Sequence, residues 1–581
     1  MTETAIARPR VLLTAASIGV FVSSADTYVI VIALTAIMSG IGLDVDKLQQ
    51  ATPIISGFLA GYVVALPVLG KLSDLYGRRR ILMVCLAVFA TGSVVTASAT
   101  TLAAAVIGRA LQGLGGGGLV PVAIALVADI WPAEKRSGPL GAVSAVQELG
   151  SVIGPLWGAA IISLTSWRVI FWINIPVALL IALAARSRVD KSEPRSRDWI
   201  GWILLALALL ATTLAVVSPA WLQSNDTVGL IYAPILTASA WSAFTTPVAL
   251  ASYAFALAFL VWCSTSARRI VDLRAVFASL RQADYRGALL LALVLTSLVV
   301  SFAAADPSKQ VLGDLAYVLL PVAAVALLVF VIVESRRAEP LINFGNFRDR
   351  AAFGSLLANL AIGIALVTAL VDVPIFARTT AYPTSQVDAA LVLTRLLVAI
   401  PVGALLGGFA CRRLGYRAVA AVGMVLCTLC FVAMGTWGEN VLTDSWLGMS
   451  WLHPSDPALL AGGLGFGLAI APINAAMLGA VTRSIHGLAS SLVVLARMVG
   501  MLIGVSLLTA LGLHRFYQMA AAIPTPSTTC PSSPTSCAPY DNAIEQAIIS
   551  ELHVIFVGAA IAAAVAALLS LALLRRRPQV A

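Results

Sequence analysis

The chain has 581 residues, of which 60% are hydrophobic and only 11% charged, with a formal net charge of +10. Its mean hydropathy is +0.96. Soluble domains carry roughly 25% charged residues, so this composition excludes a soluble globular protein and implies a polytopic membrane protein. The bases are split among many short turns between apolar stretches, which argues against nucleic acid as a partner and for an orientation signal. Anionic lipid headgroups are the expected neighbours of those turns.

A bilayer core of about 30 Å takes roughly 20 apolar residues per helix. The first such segment begins near residue 11, after a short basic start, and carries Asp26. No small-residue cleavage site follows, so it reads as a retained helix and not a signal peptide. Further apolar segments begin near residues 53, 80, 103, 140 and 168. Between the second and third lies a tight turn, residues 70–80, with Gly70, Asp74, Gly77 and Arg78. Placing such turns in the cytoplasm puts both chain ends there as well. That rule explains the bases but not Asp74 or the two glycines.

The fourth segment contains Arg109, Gln112, Gly113 and a run of four glycines, Gly115 to Gly118. A G-x-G-x-x-G in this position has no preceding strand, so it is no dinucleotide fingerprint. The glycines suit close helix packing, whereas a guanidinium inside the bilayer costs several kcal/mol unless paired or hydrated. The fifth segment reads Gln147-Glu148-Leu149-Gly150, then Gly154-Pro155 and Gly158. Glycines four apart offer a flat face to a neighbouring helix, and Pro155 permits a bend.

Four more apolar segments, near 200, 244, 287 and 314, precede a second set near 351, 388, 418, 458, 487 and 551. The second set repeats the first. Gly70 and Gly77 recur as Gly408 and Gly415, Leu114-Gly115 as Leu464-Gly465, and Gly150 and Gly154 as Gly500 and Gly504. In the repeat of the charged turn, Arg412 stands where Asp74 would be. The expected architecture is all-α. Two six-helix bundles, 1–190 and 351–581, flank a four-helix insert at 191–350, giving about 16 transmembrane helices. The 200–265 part of the insert is either a genuine extra pair or partly interfacial.

The remaining intramembrane charges are Asp372, Arg395 and Arg497. Asp372 and Arg395 fall toward the outer ends of adjacent segments and could pair as a periplasmic gate. Asp26, Glu148 and Arg497 fall near mid-depth. Each is either a static ion pair that fixes packing or a proton-handling group, since burial and a nearby Arg move a carboxyl in opposite directions. The last two segments run past 30 residues and should project on the outer side, where Trp437, Trp446 and Trp451 add amphipathic surface. Between them Cys530 and Cys537 sit in an outer loop, either as a disulfide or as two free thiols. The other five cysteines read as packing residues. The four histidines are scattered, giving no metal site, and nothing calls for a cofactor.

These motifs resemble the major facilitator superfamily. Residues 70–80 match its loop between helices 2 and 3, and Arg109-x-x-Gln112-Gly113-x-Gly115 resembles its fourth-helix motif, whose arginine is associated with proton coupling. Gly150 to Gly158 resembles the fifth-helix motif of its antiporters, which favours export, and the run from Trp167 to Pro176 also resembles that branch. The fourteen-helix drug:proton antiporters have two linker helices; Asp284 to Gly287 and Glu334 to Ile342 resemble that pair, leaving the 200–265 hairpin as a departure. Asp26-Thr27-Tyr28-Val29, Val371-Asp372-Val373 and the stretch from Ala496 to Val505 look like the mycobacterial lipid exporters of the superfamily.

The resemblance implies a proton-coupled exporter of the bacterial inner membrane that works as a monomer. Its cargo would be lipids, with triacylglycerides as the expected class, handed to a periplasmic lipid-binding lipoprotein. A multidrug:proton antiporter is the alternative. The expected proton-coupling residues are Asp26 and Glu148, modulated by Arg109 and Arg497. Glu148→Gln and Asp26→Asn should then stop proton-driven transport and leave the protein folded. Asp74 would dock on the helix beginning near Gly487 and latch the outward-open state. No Walker-type phosphate loop occurs, so the chain is not read as an ATP-driven pump, nor as an enzyme.

Overall fold

The computed structural model describes residues 9–43, 48–132, 135–185, 198–217, 229–233, 246–266, 285–303, 315–337, 342, 344–383, 385–446, 448–449, 452–525, 528 and 537–574. Six helices come first: α1 Pro9–Gly40, α2 Leu48–Tyr76, α3 Arg78–Ala97, α4 Leu102–Ile130, α5 Ser137–Leu164 and α6 Trp167–Ala185. The insert supplies α7 Trp199–Val217, α8 Pro247–Thr265, α9 Tyr285–Ala303 and α10 Ala316–Ser335. After α11, Arg350–Thr379, a continuous helical stretch Gln386–Met434 breaks at Gly415 into α12 (386–414) and α13 (416–434). The last three are α14 Asp456–Ala480, α15 His486–Ala520 and α16 Ala538–Leu573. The described residues thus hold sixteen long helices and no named strand.

The break at Gly415 is the repeat made visible in the backbone. Gly415 has φ 79° and ψ 166°, and Gly77, between α2 and α3, has φ 89° and ψ 143°. Side chains with a Cβ avoid that region, so glycine is needed at the corresponding corner of both bundles.

Helices α1–α6 pack on one another, as do α11–α16. The bundles meet along two seams, α2 and α4 against α15, and α5 against α12 and α14. In α4 the glycine run removes every side chain that would hold neighbours away. Gly116 faces Ser23 of α1, Gly117 faces Tyr62 of α2 and Gly115 faces Phe89 of α3. In the insert, α7 pairs with α8 and touches α3. Helix α9 pairs with α10 and lies against both α2 and α15, so it spans one seam between the bundles. The 200–265 segment is a helix pair of 19 residues each, joined by a hydrogen bond from Trp262 Nε1 to Asp198 Oδ1 at 3.0 Å.

Many apolar side chains of α8 and α10 are exposed, among them Leu257, Tyr317, Val318 and Leu328. Lipid-facing surface of that kind is what a helix bundle in a bilayer presents. The two ends of the molecule differ. The end with the 70–80 turn, hereafter the basic end, is closed by both seams. At the other, the loop end, α15 and α16 run 35 and 36 residues, about 50 Å each at 1.5 Å per residue.

One sequence expectation changes here. Trp437 adds no outer surface: it is 5% exposed and packs with Phe376 and Phe556, at centroid distances of 5.4 and 6.2 Å. Trp446 is exposed, while Trp451 lies outside the described residues. Of the two outer-loop cysteines, Cys537 is disulfide-bonded and Cys530 lies outside the described residues.

Candidate central site and the seams that enclose it

Two buried ion-pair networks occupy the middle of the molecule. In the first, Asp26 of α1 meets Arg109 of α4, with Nη1 to Oδ2 at 2.5 Å. Arg109 is fully buried and is the largest fully buried side chain among the described residues. The opposite carboxylate oxygen, Asp26 Oδ1, accepts from Gln112 Nε2 at 3.1 Å and from Asn174 Nδ2 of α6 at 2.8 Å. Gln112 Nε2 also donates to Ser93 of α3 at 2.9 Å. Phe58 lies under the guanidinium, 4.3 Å from its ring centroid, adding a cation–π contact. Three helices of one bundle meet at a single carboxylate, and Ser93 joins α3 to them through Gln112.

The second network crosses between bundles. Glu148 of α5 and Arg497 of α15 approach at 3.4 Å, and both are buried. They line a small central cavity together with Tyr28, Phe58, Tyr62, Gln147, Leu366, Met498 and Met501. Asp26 and Arg109 do not line it. The four charges singled out by sequence therefore sit in two different settings: one pair inside a bundle, the other in the cavity wall between bundles.

Helix α5 carries the glycine series Gly150, Gly154 and Gly158 against α1. A Cβ on Gly150 would stand 2.5 Å from the Phe21 carbonyl oxygen, one on Gly154 2.5 Å from that of Ala25, and Gly158 faces Val29. The flat face thus seats α1 on the turns that carry Asp26. Pro155 lies in the same helix. In the other bundle Gly500 and Gly504 of α15 lie on Leu360 and Ile364 of α11. The repeated glycines do the same work twice.

At the basic end, the Asp74 carboxylate accepts backbone hydrogen bonds from Gly487 at 2.8 Å and Leu488 at 2.9 Å. These are free amides at the start of α15, where the helix dipole also favours an anion. Arg78 pairs with Asp74 at 2.5 Å and with Asp129 at 3.0 Å, and donates to Ser73 at 2.7 Å. Gly70 permits the approach, since a Cβ there would be 2.6 Å from the Gly487 carbonyl oxygen. On the second seam Gly408 faces Ser137 and Gly141 of α5. Arg412, which stands where Asp74 would be, lies over Gly138 at the start of α5. A cation at a helix start makes no equivalent of the Asp74 dock.

The expected pair between Asp372 and Arg395 is not made. Arg395 pairs instead with Asp456, in the first turn of α14, at 3.1 Å. An acid there satisfies both the guanidinium and the helix start, and Asp456 Oδ2 also accepts from the His453 amide. Sequence reasoning passed over Asp456, and it gave no role to Asn174, Ser93 or Asp129. A polar residue in an otherwise apolar helix was the available signal for Asn174.

The family model described as Major Facilitator Superfamily matches residues 16–335. A triacylglyceride transporter of Mycolicibacterium smegmatis is 34% identical over 97% of this chain and 87% of its own length. One of Mycobacteroides abscessus is 34% identical over 88% and 85%, respectively. Among solved structures, the proton:xylose symporter XylE superposes with TM-score 0.51 at 13% identity, covering 95% of this chain and 94% of that one. The human organic anion transporter MFSD10 superposes with TM-score 0.50 at 15% identity, covering 96% and 100%. The helical repeat, the Asp74 dock and these likenesses agree: this multi-pass membrane protein belongs to the major facilitator superfamily.

Proposed function

We propose that the protein is a proton-coupled exporter that moves lipids of the triacylglyceride class out of the bacterial inner membrane by alternating access. The observation that carries the reading is the Glu148–Arg497 pair, which joins the bundles across a cavity otherwise lined by uncharged side chains. An apolar cargo makes few polar contacts, so the force that reorients the bundles must come from the charges in the cavity wall. Protonation of Glu148 removes its charge and frees Arg497, and the bundles can part; loss of the proton restores the pair. Glu148 and Asp26 carry the coupling proton in this scheme, with Arg109 and Arg497 modulating them.

In this scheme both termini are cytoplasmic, in keeping with the bases in the basic-end turns. The Asp74 dock then latches the outward-open state by holding the cytoplasmic end shut. A monomer suffices, since both bundles and the cavity belong to one chain. The long α15–α16 pair gives a periplasmic lipid-binding lipoprotein a surface on which to receive the cargo. Relatives named for triacylglyceride transport over nearly their whole length support the cargo class.

Proteoliposomes containing the purified protein and labelled triacylglyceride test this. A pH gradient should drive lipid movement, and Glu148→Gln should remove the dependence on the gradient. Movement of a cationic dye without lipid would replace this reading by the multidrug antiporter.

A further inference from the structure

The two charge networks are neighbours along α1, yet they do not share a cavity. On α1, Ser24, Thr27 and Tyr28 line the cavity, whereas Asp26 is 3% exposed and does not. Helical periodicity accounts for this, since residues 24, 27 and 28 share one face of the helix and residue 26 lies off it. On α2 the cavity face carries Phe58, Leu59 and Tyr62 at the same kind of spacing. Arg109 of α4 is fully buried and lines no part of the cavity.

One side chain belongs to both settings. The centroid of the Phe58 ring lies 4.3 Å from Arg109 Cζ, and the same residue is part of the cavity wall. Among the described residues, the guanidinium also meets Asp26, Gln112 and the ring of Phe171, the last at 5.9 Å, and none of these lines the cavity. The Phe58 ring therefore stands between the buried charge and the cavity. Backbone packing holds it there. A Cβ on Gly113 would strike the Phe58 carbonyl oxygen, and one on Gly61 would strike that of Ala110, so α2 and α4 touch backbone to backbone around this level. Tyr62, one turn along α2, stacks on Phe58 with centroids 5.9 Å apart. Phe58 itself is 1% exposed.

We propose that the Phe58 ring is a septum that keeps cavity water, and the protons it carries, from the Asp26–Arg109 pair. Glu148 and Arg497 lie on the cavity side, and Asp26, Arg109, Gln112 and Ser93 on the sealed side. A phenyl ring offers water no donor or acceptor, and keeping water out preserves the strength of the buried pair. The seal is independent of cargo and of proton coupling. Its consequence for transport rests on the proton scheme proposed above: a proton passes between Glu148 and Asp26 only when this ring moves aside. Phe58 is then a positioning residue that sets when the two carboxyls communicate.

Thiol labelling of the purified full-length protein tests the septum without cargo or gradient, so its failure is distinct from a failure of proton coupling. The probe is methyl methanethiosulfonate, with modification read by mass spectrometry at the introduced residue. Ser24→Cys reports the cavity side and Ser93→Cys the sealed side. With Phe58 in place, Ser93→Cys should label more slowly than Ser24→Cys by about tenfold or more, because a buried thiol reacts only through local opening. Adding Phe58→Ala should remove most of that difference, while Phe58→Leu, nearer in size, should retain part of it. Phe171→Ala, beside the same guanidinium but away from the cavity, should leave the difference in place. Equal labelling of the two reporters with Phe58 intact would overturn the proposal. So would equal effects of Phe58→Ala and Phe171→Ala, which would mean general loosening of the bundle. Should Phe58→Ala fail to fold, Phe58→Val takes its place, and an unmoved Ser93→Cys rate rejects the septum.

Discussion

Asp26 and Glu148 look alike in sequence, two acids near mid-depth, yet their surroundings give them different consequences. Asp26 accepts from Arg109, Gln112 and Asn174, all buried and all within one bundle. Replacing it by Asn leaves the Arg109 charge without a counter-ion, and breaking a buried pair costs about 3–5 kcal/mol. The expectation that Asp26→Asn leaves folding untouched is therefore revised: this variant should lose transport and also melt clearly earlier in detergent. Glu148 lines a cavity, and its bond to Arg497 is long at 3.4 Å. Glu148→Gln loses one long contact and not three buried bonds, so it should lower the melting temperature less than Asp26→Asn while losing gradient-driven transport. Melting curves for both variants separate the two, and equal melting would show that the Asp26 network is not a structural tie. A charge in an apolar helix was visible in sequence, but its partners lie on other helices and no single-helix pattern could name them.

At the element scale, the same small-residue device serves as a bearing in one place and a latch in another. Helix α5 lets α1 approach until a Cβ on Gly154 would meet the Ala25 carbonyl oxygen at 2.5 Å. Gly154→Val must push the helices apart on the turn that carries Asp26, and overpacking of this kind costs about 1–3 kcal/mol. Transport should fall several-fold, and a melting shift together with a transport assay checks it. At the basic end the carboxylate of Asp74 holds two backbone amides of α15. Hydrogen bonds to a charged group are worth about 1.5–3 kcal/mol. Asp74→Asn should therefore raise the population open at the basic end by tenfold or more. Spin labels on α2 and α15 would read it as a longer distance, and an unchanged distribution would reduce Asp74 to a solvated turn residue. The 70–80 motif disclosed this dock because its glycines and acid sit in one short loop. The Arg395–Asp456 pair escaped notice because its halves lie far apart in the chain and Asp456 reads as an ordinary helix-start acid.

For the whole molecule, the bundles were legible because the repeat is written in glycines, where backbone geometry permits no substitute. Gly77 and Gly415 turn the chain at positive φ, and Gly150 and Gly500 seat equivalent helices. The insert was legible only as apolar length, since lipid-facing helices carry no pattern that names their neighbours. Its two pairs turn out to differ in a way that bears on mechanism. Helix α9 lies on α2 and α15, one from each bundle, and must follow or resist any motion at that seam. The α7–α8 pair is held together by Asp198 and Trp262 and touches the first bundle at α3. Excising residues 198–266 removes an even number of crossings, so the orientation of every later helix is kept. Gradient-driven transport by that variant should remain within a few-fold of wild type. Excising α9–α10 keeps the same parity but uncovers the α2–α15 seam, and transport should be lost. Membrane-insertion assays confirm topology in each variant before transport is compared. If removal of α7–α8 proved as damaging as removal of α9–α10, contact with one bundle alone would be enough to take part in the transport cycle, and the seam would lose its special standing.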